Sequence, residues 1–140
     1  MADGRVMAID YGEKRIGLAL SDPTGIIATP AGYILRRAGK RAPIAEIIRR
    51  AEEAEVGSFV MGLPLDENGA ETERSAEVRR IASELTKRTG LPAALVDERF
   101  TTSAALRTIR EMDGSTRGRK GDVDALAATI LLQHALSLPR

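Results

Sequence analysis

In the stretch Val6-Met7-Ala8-Ile9-Asp10-Tyr11-Gly12-Glu13-Lys14-Arg15-Ile16-Gly17, a short apolar run ends in an aspartate and a glycine turn. A run this short, broken by a turn signal, reads as a buried strand. Side chains alternate across a strand, so Asp10 shares a face with Val6 and Ala8. A carboxylate on such a face is costly unless a cation meets it, and basic side chains or metal ions are the usual answers. Beyond Gly12, Ile16, Leu18 and Leu20 alternate with Gly17, Ala19 and Ser21, which predicts a second strand paired to the first. Lys14 and Arg15 put two cations directly after Asp10, able to neutralise a phosphate or the carboxylate cluster. As a phosphate cradle the turn is weak, because it leads into a strand and not a helix.

Working outward, Asp22-Pro23-Thr24-Gly25 is a turn and Ile26 to Leu35 a third strand. Pro30 cannot donate to a ladder, which predicts an edge strand or a bulge there. Pro43 opens a helix whose apolar stripe is Ile44, Ile47, Ile48 and Ala51. Gly57 closes the next connection, Ser58 to Leu63 is a strand, and a longer helix runs from about Thr72 to Arg88 before Gly90 stops it. Ala93 to Val96 is a fifth strand, ending in Asp97-Glu98-Arg99. Thr101 or Thr102 caps a helix through Met112, and Asp113 to Gly121, without apolar periodicity, reads as a mobile loop. Asp122 caps a last helix with Val123, Leu126, Ala127, Ile130, Leu131 and His134 or its neighbours as its apolar face. Helical crossovers return a chain parallel and right-handed. The expectation is one α/β domain over residues 1–140, with a mixed five-stranded sheet, three strands antiparallel and then two parallel, flanked by helices. That is the layout of the ribonuclease H-like fold.

With 140 residues the chain can build one substantial core but not two lobes. No apolar run is long enough to span a bilayer, and Met1 to Arg5 lacks the build of a signal peptide, so no membrane partner is expected. The absence of cysteine excludes disulfides and thiolate metal sites and fits a cytoplasmic protein. Tyr11, Tyr33, Phe59 and Phe100 are the only aromatics, too few for a single-strand binder built on stacking. A net charge of +1 excludes a global basic field. Two dense patches stand out all the same: Arg36, Arg37, Lys40 and Arg41, then Arg117, Arg119 and Lys120. Both contain glycine and read as loops, serving either phosphate contact or solubility.

Three acids carry the candidate chemistry. Asp10 ends the first strand, Glu98 follows the fifth on the face of Ala94 and Val96, and Asp124 borders the apolar stripe of the last helix, able to lean towards the sheet without being buried. Carboxylates are hard ligands suited to Mg²⁺ or Mn²⁺. Such a set can hold two ions about 4 Å apart, activate water and stabilise the leaving oxygen of a phosphodiester, with no need of histidine or cysteine. Each acid also has a plainer role. Asp10 suits a turn, Glu98 can pair with Arg99 or Lys14 at the surface, and Asp124 suits the first turn of a helix. Asp97 points to the opposite face and reads as structural, Asp122 as a cap and His134 as packing.

Taken together, Asp10-Tyr11-Gly12-Glu13-Lys14-Arg15-Ile16-Gly17, Gly62-Leu63-Pro64-Leu65, Asp97-Glu98-Arg99-Phe100-Thr101-Thr102 and Asp124-Ala125-Leu126-Ala127-Ala128 resemble the YqgF (RuvX) family of Holliday-junction-resolvase-like pre-16S ribosomal RNA nucleases. The motifs occur in family order over nearly the whole chain. The resemblance implies a metal-dependent endonuclease with Asp10, Glu98 and Asp124 as its acids and Mg²⁺ or Mn²⁺ as cofactor. It implies a cytoplasmic protein maturing the 5′ end of 16S ribosomal RNA, with structured precursor RNA and pre-ribosomal particles as partners. Lys14, Arg15, Arg99 and the two basic patches would hold the strand. Branched DNA is the alternative substrate, and the chain acts as a monomer or a homodimer. Two competing classes are a non-catalytic RNA- or ribosome-binding module of the same fold and a phosphotransferase, which would need a second lobe to close over ATP.

Overall fold

The computed structural model describes residues 4–37, 40–101 and 120–138. The helix expected through Met112, with Arg117 and Arg119, lies outside them. The first two strands, β1 (Arg5–Tyr11) and β2 (Arg15–Ser21), form an antiparallel pair with Asp10 opposite Gly17. Next come β3 (Ala28–Leu35), α1 (Ile44–Glu53), β4 (Val56–Leu63), α2 (Glu73–Thr89), β5 (Ala93–Asp97), a 3₁₀ turn at Glu98–Phe100, and α3 (Lys120–Ser137). Strand order is β3-β2-β1-β4-β5, with β3 antiparallel to β2, β4 parallel to β1 and β5 parallel to β4. This is the expected mixed five-stranded sheet. Pro30 sits on edge strand β3, and the register slips by one residue beside it, so edge and bulge occur together.

Alternation divides the sheet into two faces with separate cores. Met7, Ile9, Tyr11, Ile16, Leu18, Phe59, Met61 and Leu63 pack under Ile47 and Ala51 of α1 and Val78, Ile81 and Leu85 of α2. Val6, Ala8, Ala19 and Val60 pack under Ala128, Leu131, Leu132 and Ala135 of α3. Small residues on this second face let α3 lie close against it. The helix α2 is well delimited at both ends. Thr72 caps it in a reciprocal box with Ser75, and Gly90 ends it at φ 74°, in the left-handed region that favours glycine.

Several boundaries differ from the sequence-based expectation. The third strand starts at Ala28 and not Ile26, because Asp22 accepts bonds from the N–H groups of Thr24, Ile26 and Ile27 and holds that segment as a loop. Gly57 lies inside β4, and the turn falls instead at Ala54–Glu55, where Glu55 takes φ 56°. Lys120 belongs to α3 and not to a loop, which places Asp122 inside the first turn and not at the cap. An acid there still suits the positive end of the helix dipole. The buried face of α3 is rotated from the expected one. Asp124, Ala127, Ala128, Leu131 and Ala135 are buried, while Leu126 is 47% exposed. Apolar residues surround most of this helix, so periodicity did not single out the inward stripe.

Candidate active site

Asp10 lies near the carboxyl end of β1 on the face covered by α3, the face it shares with Val6 and Ala8. Its cross-strand partner on β2 is Gly17. On the other side Ile9 pairs with Met61, so continuing the register by one residue sets Gly62 of β4 beside Asp10. Three adjacent strands therefore carry a row Gly17–Asp10–Gly62 in which only the middle residue has a side chain. Neighbouring strands are about 4.8 Å apart, so the row is roughly 10 Å wide.

The two other acids fill the space that the glycines leave. A Cβ on Gly17 would lie 2.0 Å from the carbonyl oxygen of Asp124, so α3 rests directly on the β2 backbone there. A Cβ on Gly62 would lie 2.9 Å from Glu98 Oε2 and 3.3 Å from Leu131 Cδ2, so the Glu98 carboxylate is tucked over β4. Glu98 reaches that spot because β5 ends at Asp97 and the chain turns into a 3₁₀ helix, carrying on the face of Val96. All three acids are buried, with exposures of 0% for Asp10, 2% for Glu98 and 0% for Asp124. Asp124 thus leans towards the sheet as expected, but it is buried there and not left at the border. The approach of α3 over a glycine takes it under the helix. The turn, surface-pair and helix-start roles do not explain three buried carboxylates at one end of one sheet face. That end is where open α/β sheets place ligands.

A buried carboxylate needs compensation. Arg15, at the start of β2, donates from Nε to Asp124 Oδ2 at 2.8 Å, and its side chain is 15% exposed. Among the described residues no group of three or more acids or histidines forms a ready-made metal cage. The donor set nonetheless suits a hard divalent cation: three buried carboxylates, all oxygen, on residues carried to one end of the α3 face.

The other candidate residues divide into committed and exposed ones. Arg99 forks onto Asp97 through Nε and Nη2 at 3.0 and 2.7 Å and reaches the Glu67 carbonyl, bracing the Asp66–Gly69 turn. The bond from Arg99 holds the Asp97 carboxyl below its usual range. Arg36 stacks 4.4 Å over the Tyr11 ring and donates to the Gly12 carbonyl. Burial raises the Tyr11 hydroxyl pKa, against the pull of Arg36. Lys14, Arg37, Lys40 and Arg41 are exposed on the β1–β2 turn and the segment after β3. Of the second basic patch, only the backbone of Lys120 falls within the described residues. From the sequence, Gly17 and Gly62 take places in strands and motifs but no role in the site. A glycine inside a strand signals close approach of another group, and that was the available clue.

The fold is of the ribonuclease H-like class, and the chain's relatives make it a nuclease that hydrolyses phosphodiester bonds. The family model RuvX, described as Holliday junction resolvase, matches residues 4–138, and the chain belongs to that family. A relative from Koribacter versatilis named "Putative pre-16S rRNA nuclease" is 41% identical over 95% of this chain and 86% of its own length. Relatives of the same name from Rickettsia bellii (39%, 94% and 85%) and Maridesulfovibrio salexigens (40%, 95% and 98%) agree. Among solved structures, Thermus thermophilus RuvC in complex with a Holliday junction substrate superposes with a TM-score of 0.54. It is 14% identical, over 95% of this chain and 93% of that one, a likeness of fold. No helix among the described residues is long and apolar enough to cross a membrane.

Proposed function

We propose that this chain is a divalent-cation-dependent endonuclease that cuts structured precursor RNA, maturing the 5′ end of 16S ribosomal RNA in the cytoplasm. The observation that carries the reading is the row Gly17–Asp10–Gly62, with Asp124 and Glu98 seated in the gaps on either side of Asp10. The central position of Asp10 in that row supports it as the residue that shares a cation with both neighbours. When bound, Mg²⁺ or Mn²⁺ supplies Lewis-acid polarisation and neutralises charge on the reacting phosphate. The protein supplies a buried floor of oxygen donors, Asp10, Glu98 and Asp124. The names of the relatives near 40% identity support precursor 16S RNA as substrate. Lys14, Arg37, Lys40 and Arg41 are exposed and available to phosphates, a contact that weakens steeply with salt.

The test is cleavage of a precursor 16S RNA fragment with Mg²⁺ or Mn²⁺. Asp10→Asn should slow it about 10²- to 10³-fold, the usual cost of losing one electrostatic stabiliser. Unchanged cleavage in that variant would overturn the reading. A four-way DNA junction in the same assay decides whether branched DNA is cut instead.

A further inference from the structure

We propose that Arg15 is an exchangeable counter-ion, which holds Asp124 while the metal site is vacant and is displaced when a divalent cation arrives. This rests on the metal-centre reading above. The local structure places the two groups together. Gly17 seats the Asp124 backbone against β2, and Arg15, two residues earlier on the same strand, then reaches Asp124 Oδ2 from the edge of the site. The carboxylate is fully buried, so its charge needs a cation beside it, and Arg15 provides one.

The form of the contact suits exchange. Arg99 grips Asp97 with two nitrogens, the planar fork that makes arginine–carboxylate pairs strong and specific. Arg15 uses Nε alone. A one-point bond offsets part of the buried charge and gives way to an ion of twice the charge. On displacement, the Arg15 guanidinium remains at the partly open rim beside exposed Lys14, available to a phosphate. Metal and RNA then reinforce one another, because the cation frees the group that binds the phosphate and the phosphate keeps that group from returning.

Mn²⁺ binding to the full chain, read from the electron paramagnetic resonance of free Mn²⁺, tests the exchange. Arg15→Gln removes the competitor and should bind Mn²⁺ about tenfold tighter than wild type, with Arg15→Lys in between. The wild-type protein gives a second readout that needs no foldable variant. The Arg15 Nε–H resonance should shift as Mg²⁺ saturates the site. Equal Mn²⁺ affinity in wild type and Arg15→Gln, or an Arg15 resonance unmoved by saturating Mg²⁺, would overturn the proposal. Mn²⁺ binding that depends on Asp10 and Asp124 but ignores Arg15 overturns the exchange alone. Absence of Mn²⁺ binding in both wild type and Arg15→Gln ends the metal-centre reading with it.

Discussion

One methyl group added at Gly17, compared with one added at Gly62, separates the scaffold of the site from its chemistry. At Gly17 the new Cβ would stand 2.0 Å from a backbone oxygen of α3, at least 1.0 Å inside the 3.0 Å that real Cβ atoms respect. A carbonyl in a helix cannot rotate away, so α3 must withdraw as a body. A gap of this order forfeits a quarter to a half of each dispersion contact along the interface. Leu131, Leu132, Ala128 and Ala135 would all lose packing. The expected cost of Gly17→Ala is at the upper end of the overpacking range, about 3 kcal/mol. At Gly62 the obstacle is Glu98 Oε2 at 2.9 Å, the end of a flexible side chain that needs to yield only a few tenths of an ångström. Gly62→Ala should cost under about 1 kcal/mol. It should nevertheless depress cleavage by about 10- to 100-fold, because it moves a carboxylate that must sit beside Asp10. Urea unfolding gives both stabilities. With an m-value of about 2 kcal/mol per M, Gly17→Ala should lower the midpoint by about 1.5 M. A Gly17→Ala protein as stable as wild type would refute the close seating of α3 on β2.

Two further outcomes follow from the packing and the ion pairs. Leu131 is fully buried between α3 and β4, so Leu131→Ala should cost about 2–5 kcal/mol in urea unfolding, and a loss under about 1 kcal/mol would contradict the α3 interface. Arg49 and Arg50 lower the Glu46 carboxyl from 4.5 to about 2, and Arg79 with Ser75 does the same for Glu71. Groups lowered in this way stabilise the fold above their unfolded value, and the contribution is lost as pH falls from about 4.5 towards 2. The urea midpoint should therefore fall across that window, and less steeply in Glu46→Gln/Glu71→Gln; an identical slope in the double variant would contradict the pairing.

The strands and the face of Asp10 were legible because they depend on local alternation: Val6, Ala8 and Asp10 on one side, Met7, Ile9 and Tyr11 on the other. Glu98 was placed correctly by the same rule, continued one residue past β5. What approached the glycines was not legible. A glycine in a strand announces that something comes close, but Gly17 meets Asp124 and Gly62 meets Glu98 across long stretches of chain. The burial of Asp124 was missed for a related reason. Ala125, Leu126, Ala127 and Ala128 surround it with apolar residues on several sides, so no stripe singles out the inward one. The position of Arg15 beside Asp10 points to a cation for either a phosphate or the acid cluster, but which acid it meets is not local information, since Asp124 is 109 positions away. Only the folded sheet brings them together.

In the proposed metal centre, Asp10, flanked by Gly17 and Gly62, is the middle ligand and Glu98 and Asp124 complete the set. Anomalous diffraction from a crystal soaked in Mn²⁺ tests it most directly. A peak is expected within about 2.0–2.6 Å of an Asp10 carboxylate oxygen, with oxygen ligands from Glu98 or Asp124 at similar distance. A soaked crystal with Mn²⁺ bound elsewhere and no peak at Asp10 would contradict it.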